Sequence, residues 1–283
     1  MTMLRTMNYK LRTKHGLTLT EMTVVVASIV LLAAIGVPAI RAFFRSFETE
    51  AGTKNMIIAV FASARAMAAA KQQYVGIRFQ KAYNLNAPDP LDPLTAPQYM
   101  IFIVHDPASE PNGTGLANGF RAVEGLKPIK LPDSVGVMDL RLRTNPDPKY
   151  ADDVPIDKDT QIDQPSELRD TTTFSIVFSP SGKLVTHEVR IRNKNGRVDD
   201  SSNDDVFNTV INVETNKIAR FLQDDYPAMG LGQEYSRLSF IIYDAKKFKQ
   251  VYDRKQAYSG YLNTLLSKAI YINPYTGTII STD

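Results

Sequence analysis

Nineteen consecutive residues, Met22 to Ile40, carry no charge, and they are bounded by Glu21 and Arg41. As an α-helix this run would extend roughly 28 Å at 1.5 Å per residue, close to the hydrocarbon thickness of a bilayer. Val, Ile, Leu and Ala dominate it, with only Thr23 and Ser28 polar. The preceding flank is basic: residues 1–16 hold Arg5, Lys10, Arg12 and Lys14 and no acid. The positive-inside rule keeps such an end in the cytoplasm and exports the remainder of the chain.

The segment after the run, Arg41-Ala42-Phe43-Phe44-Arg45, is bulky and basic. It lacks the small residues of an ordinary signal-peptide cleavage site. An uncleaved anchor is therefore one reading. Glu21 points to another. A carboxylate in a membrane helix costs about 2–3 kcal/mol at the centre and less near an end. No basic residue lies within Leu17–Ile40 to pair with it. A cut after Gly16 would create an α-amine four residues upstream.

"KHG" followed by "LTLTE" and a long apolar helix resembles the class III signal of type IV pilins and type II secretion pseudopilins. In that family a prepilin peptidase cuts after the glycine on the cytoplasmic side and methylates the new N-terminus. The resemblance implies cleavage between Gly16 and Leu17, N-methylation of Leu17 and a subunit-assembly role for Glu21, the fifth mature residue. Gly36 and Pro38 fall where many pilins break the helix. Leu17 stands where the family usually has Phe.

The four basic residues of the leader exceed the net charge of +3, so the rest of the chain is nearly neutral. That argues against a globally basic nucleic-acid binder. With no cysteine, disulfides and thiolate metal sites are excluded.

Beyond the run, residues 48–72 read as a helix. "MIIAVFASARAMAAA" holds seven alanines, with Ile57, Phe61, Ala64 and Ala68 at helical spacing on one face. Strands come next: Val75, Ile77 and Phe79 form one face, and "YMIFIV" (Tyr99–Val104) reads as buried. In "MDLRLR", Met138, Leu140 and Leu142 alternate with Asp139 and Arg141. Phe174, Ile176 and Phe178 lead into "SPSGK", and Val185, His187, Val189 and Ile191 alternate on the return, which predicts a hairpin. The alanine-rich helix and the later "FSPSGK" resemble minor pseudopilins of the GspH/FimT-like group. "VINVETNKI" and "YINPYTGTI" read as two further hairpins with similar turn residues. Twelve of the 16 prolines lie between Pro88 and Pro165, which predicts surface loops inserted between strands.

No catalytic signature is present among the GxSxG, HExxH, P-loop and GxGxxG patterns. His105 and His187 read as loop or core histidines, and no enzyme activity is expected. In "RVDDSSNDDVF", Asp199, Asp200, Asn203, Asp204 and Asp205 offer hard oxygen ligands of the kind Ca²⁺ takes. EF-hand spacing and its terminal glutamate are missing, so the expectation is a solvated acidic loop, with no metal and no cofactor. Basic residues cluster in "KLVTHEVRIRNKNGR" and "DAKKFKQVYDRK". A solvated face accounts for them, and contact with DNA phosphates is the alternative.

These readings predict an α+β protein: a long N-terminal transmembrane-plus-amphipathic helix packed against an antiparallel β-sheet head with loop insertions. Residues 1–16 are the leader peptide, 17–46 the membrane and filament-core helix, and 47–283 the head, with loop-rich insertions over 88–170. The resemblance implies a single-pass protein of the bacterial inner membrane, N-terminus cytoplasmic and head periplasmic, that passes into a filament. Its partners would be prepilin peptidase and other pilin or pseudopilin subunits. A DNA-binding minor pilin and an uncleaved membrane-anchored binding domain are the competing readings.

Overall fold

The computed structural model describes residues 20, 22–26, 50–81, 92–105, 120–123, 125–144, 153–189 and 234–280. The chain divides into two compact units, Met1–Ser46 and Phe47–Asp283. In the first, only Thr20 and Met22–Val26 are described, and they are helical. Among the described residues no helix is long and apolar enough to cross a membrane. The second unit is α+β with antiparallel sheets.

Helix α1 (Glu50–Lys71) opens the second unit. Its alanines favour helix and let a sheet approach closely. Ile57, Phe61, Ala64 and Ala68 are all buried on one face, as their spacing predicts. The helix stops where Gln72 takes a left-handed conformation at φ 52°, with its side-chain amide donating to the Ala69 carbonyl at 2.7 Å. The chain then reverses into strand β1.

Strand β1 (Val75–Lys81) is central in the first sheet, and every one of its residues is buried. It pairs antiparallel with β2 (Gln98–His105) through Val75 opposite Val104 and Lys81 opposite Gln98. Strands β3 (Phe120–Ala122) and β4 (Ile129–Lys130) continue from β2. Strand β5 (Val135–Met138) leaves for a second sheet. Strands β6 (Arg141–Arg143) and β7 (Asp153–Pro155) form a two-stranded ribbon. After helix α2 (Pro165–Thr171), strand β8 (Phe174–Phe178) returns to the other edge of β1. Strands β9 (Glu188–Val189) and β10 (Glu234–Tyr235) pair with each other. The second sheet runs β13-β12-β11-β5, with β11 (Ser239–Asp244), β12 (Ile270–Ile272) and β13 (Ile279–Ile280). Helix α3 (Ala245–Tyr252) continues from β11, capped by Asp244, whose carboxylate accepts from the amides of Lys246 and Lys247.

The main core lies between α1 and the sheets. The Phe61 ring meets Phe79, Phe178 and Phe240 edge-on at 6.1, 5.9 and 5.9 Å. Phe79 stacks on Phe174 at 4.8 Å. A second core gathers Met138, Ile162, Leu168, Ile241, Phe248 and Leu262. A third, around Ile103, Phe120 and Val177, covers the opposite face of the first sheet.

Three sequence expectations are corrected. "MDLRLR" is not one strand: β5 ends at Met138 and Leu140 has φ 54°, so the chain bends and Asp139 turns inward. The return from "SPSGK" pairs with β8 only briefly, through Phe178 opposite Leu184 and the Val185 amide on the Val177 carbonyl. It then leaves to pair with β10, and His187 is exposed on it. The proline-rich stretch ending at Pro165 is not all surface loop. It supplies β7, and Ile156 and Ile162 are buried from it. Buried residues at irregular intervals leave no period to read. The hairpin expected in "YINPYTGTI" is present as β12 and β13, with Gly277 at φ 62° in its turn. "VINVETNKI" lies outside the described residues.

All three cores lie within the second unit. A chain starting at Phe47 should therefore fold alone, with mixed helix and strand by circular dichroism. In it, Phe61→Ala should cost about 3–5 kcal/mol by urea unfolding. A loss under about 1 kcal/mol would show that the ring is not the keystone of the core.

Candidate functional site

Every residue expected from the basic N-terminal segment and the uncharged run to serve processing or assembly lies outside the described residues: Gly16, Leu17, Glu21, Gly36 and Pro38. So do the acidic residues Asp199, Asp200, Asn203, Asp204 and Asp205. Of the basic clusters, "DAKKFKQVYDRK" is the end of β11, helix α3 and the turn after it. Phe248 and Tyr252 are buried there, while Lys246, Lys247 and Lys249 are exposed. His105 ends β2, half-buried, with its ring 6.2 Å from Tyr74 and 5.3 Å from Phe120. His187 is exposed, and its Nδ1 lies 3.1 Å from the Glu188 carbonyl oxygen.

The polar centre of the second unit is a cluster that the sequence did not announce. The bend at Leu140 turns Asp139 inward, leaving its side chain 1% exposed. Asp139 Oδ2 lies 2.5 Å from Arg237 Nε, close as an ion pair but poorly aligned as a hydrogen bond. Its other oxygen accepts from the Arg141 amide at 3.2 Å. Arg237 also pairs with Asp153, whose second oxygen takes Arg141 Nε at 2.9 Å. Alongside, Arg143 pairs with Asp170, which also accepts the Arg143 amide at 2.6 Å. Three aspartates thus face three arginines, drawn from the β5–β6 bend, β7, α2 and the segment before β11.

Removing one member of such a buried set leaves an uncompensated charge, typically at a cost of about 3–5 kcal/mol. The cluster therefore acts as a joint between elements far apart in sequence. Each of the three carboxylates is paired with a guanidinium. Among the described residues no group of three or more His, Asp or Glu side chains could hold a metal ion.

Burial pushes the Asp139 carboxyl up from its ordinary 3.8 to about 7, and Arg237 pulls against that rise. Arg237 is shared with Asp153, so its pull does not cancel the cost of burying the charge. Asp159 shows the opposite behaviour at the surface. It accepts from the Tyr258 and Ser259 amides and the Ser259 hydroxyl, and these bonds lower its pKa against a rise from burial.

Comparison with known protein families, curated proteins and solved structures finds no match to this chain.

The raised pKa of Asp139 fixes a sign. Between about pH 4 and 7 the folded chain holds a proton that the unfolded chain releases, so stability falls as pH rises through that window and levels off above it. The fall is on the order of a few kcal/mol. In Asp139→Asn this contribution should vanish, so urea midpoints at pH 5 and pH 8 should converge relative to the unsubstituted chain. Parallel profiles in the two proteins would assign the titration to another group.

Proposed function

We propose that this chain is a pilin-like structural subunit of a type II secretion or type IV pilus filament. It works by packing, with no substrate turnover. The observation that carries the reading is Glu21, placed fifth after Gly16 at the head of a 19-residue uncharged run. An α+β unit that begins with an alanine-rich helix under antiparallel strands is compatible with that reading.

The physics of Glu21 supplies a mechanism. In a bilayer its carboxylate would lie near the cytoplasmic end, within reach of water and head groups. In a filament core that escape is lost, and an unpaired buried charge is expensive. The amine of Leu17 on a neighbouring subunit would neutralise it, and methylation would keep that amine charged. Such a pair fixes the axial stagger between helices better than uniform apolar packing does. Assembly also becomes conditional on cleavage, because the amine does not exist before the cut.

Two substitutions in the native host separate the steps. Gly16→Glu should leave the leader attached, seen by mass spectrometry as retention of residues 1–16. Glu21→Ala should be inserted and cleaved normally yet enter filaments at least about tenfold less, the ratio that about 1.4 kcal/mol sets. An intact Met1 N-terminus in the unsubstituted protein would sink the pilin reading and favour an uncleaved anchor. Wild-type incorporation of Glu21→Ala would remove the pairing role alone.

A further inference from the structure

Strands β5 and β11 pair so that Gly136 stands opposite Tyr243. A Cβ on Gly136 would lie 2.1 Å from Tyr243 Cζ and 2.3 Å from its hydroxyl oxygen. The glycine is there for space, and the tyrosine ring lies across it. Tyr243 is 2% exposed. Its hydroxyl has no hydrogen-bond partner among the described residues. The oxygen is not sealed in the core, and the side chain borders the cavity beside it. Burial and the neighbouring Tyr261 phenol both raise its pKa, so it stays a donor.

That side chain lines a cavity of about 230 Å³ between the turn of helix at Asp92–Thr95, the start of β5 and the start of α3. Leu94, Pro97 and Val135 give it apolar wall. Lysines bring positive charge to its rim. Lys81 is 4% exposed and donates from Nζ to the Leu94 carbonyl at 3.0 Å, while Lys246 and Lys249 stand exposed at the rim. One acid also lines the cavity, Asp133, and it is bound by Lys130 at 2.7 Å. The electrostatic complement of this lining is an anion.

Two features narrow the anion. Phosphate sites at helix starts draw on backbone amides, but here Asp244 already occupies those of Lys246 and Lys247 at 2.9 and 3.0 Å. Charge must therefore come from lysine side chains. The size is informative too. An apolar cavity of about 150 Å³ in another protein holds benzene, so this one has room for a ring with a polar substituent.

We propose that this cavity binds a small carboxylate carried on an apolar body of about one ring. The body lies against Leu94, Pro97 and Val135, Lys246 and Lys249 hold the carboxylate at the rim, and the Tyr243 hydroxyl donates a hydrogen bond to it. The site belongs to the second unit and does not depend on the filament reading.

The probe is 4-fluorobenzoate, monitored by ¹⁹F line broadening on the full chain in detergent micelles, with micelles alone as blank. Saturable binding is expected, with Kd on the order of 1 mM or tighter. Tyr243→Phe removes a hydroxyl with no partner among the described residues and should weaken binding about tenfold. Lys246→Gln with Lys249→Gln changes only exposed side chains and should weaken it by a similar factor. Neutral 4-fluorobenzyl alcohol should bind at least about tenfold less tightly than the acid. Absence of saturable binding overturns the proposal. So does equal affinity for acid and alcohol, inorganic phosphate competing at equal concentration, or unchanged affinity in either variant.

Discussion

One aromatic ring ties the second unit together. Phe61 projects from α1 and touches Phe79 and Phe178 of the first sheet and Phe240 of the second. The two sheets share no strand among the described residues; their shared core under the helix joins them, together with the buried Gln98 side chain of β2, whose amide bonds both backbone groups of Val137 in β5 at 2.8 Å. The alanines around Phe61 matter because they bring the helix axis close enough for a single ring to reach both sheets. Burial of apolar surface supplies most of the driving force, and the geometry of α1 decides where that burial occurs.

The charged cluster performs a different task. Hydrophobic burial is non-directional, whereas Asp139, Asp153 and Asp170 can be satisfied only by arginines in particular places. Arg237 reaches two of them, and its own amide bonds the Ser175 carbonyl of β8. The position of the β6–β7 ribbon relative to β8 and β11 is thereby specified by charge. Incomplete compensation at Asp139 is the cost of drawing one guanidinium between two acids.

Local periodicity made part of this fold legible. The face of α1 could be read because Ile57, Phe61, Ala64 and Ala68 repeat at helical spacing, β1 because Val75, Ile77 and Phe79 alternate on one face, and β2 because its apolar residues are dense. Alternation in "MDLRLR" misled, since no residue type announces that Leu140 will adopt a positive φ. The return after "SPSGK" misled because its partner, β10, lies far along the chain. For the same reason nothing in sequence linked Asp139 to Arg237, or Gly136 to Tyr243. The residues that carried the functional reading, Gly16, Leu17 and Glu21, fall in the basic N-terminal segment and at the head of the uncharged run, where local chemistry is informative without any contact map.

The place of β1 in its sheet has a kinetic consequence. One edge is filled by β2, which arrives soon after it in the chain. The other must wait for β8, a strand drawn from much later. Loop closure over that distance is slow, and until it happens the segment Val75–Phe79 presents an open row of amides and carbonyls in an apolar setting. Such an edge is a template for pairing with other chains. During synthesis the second unit is thus most vulnerable to intermolecular association after β2 has docked and before β8 arrives. Confinement of the nascent chain at a surface, or a factor that shields extended apolar segments, would protect it through that interval.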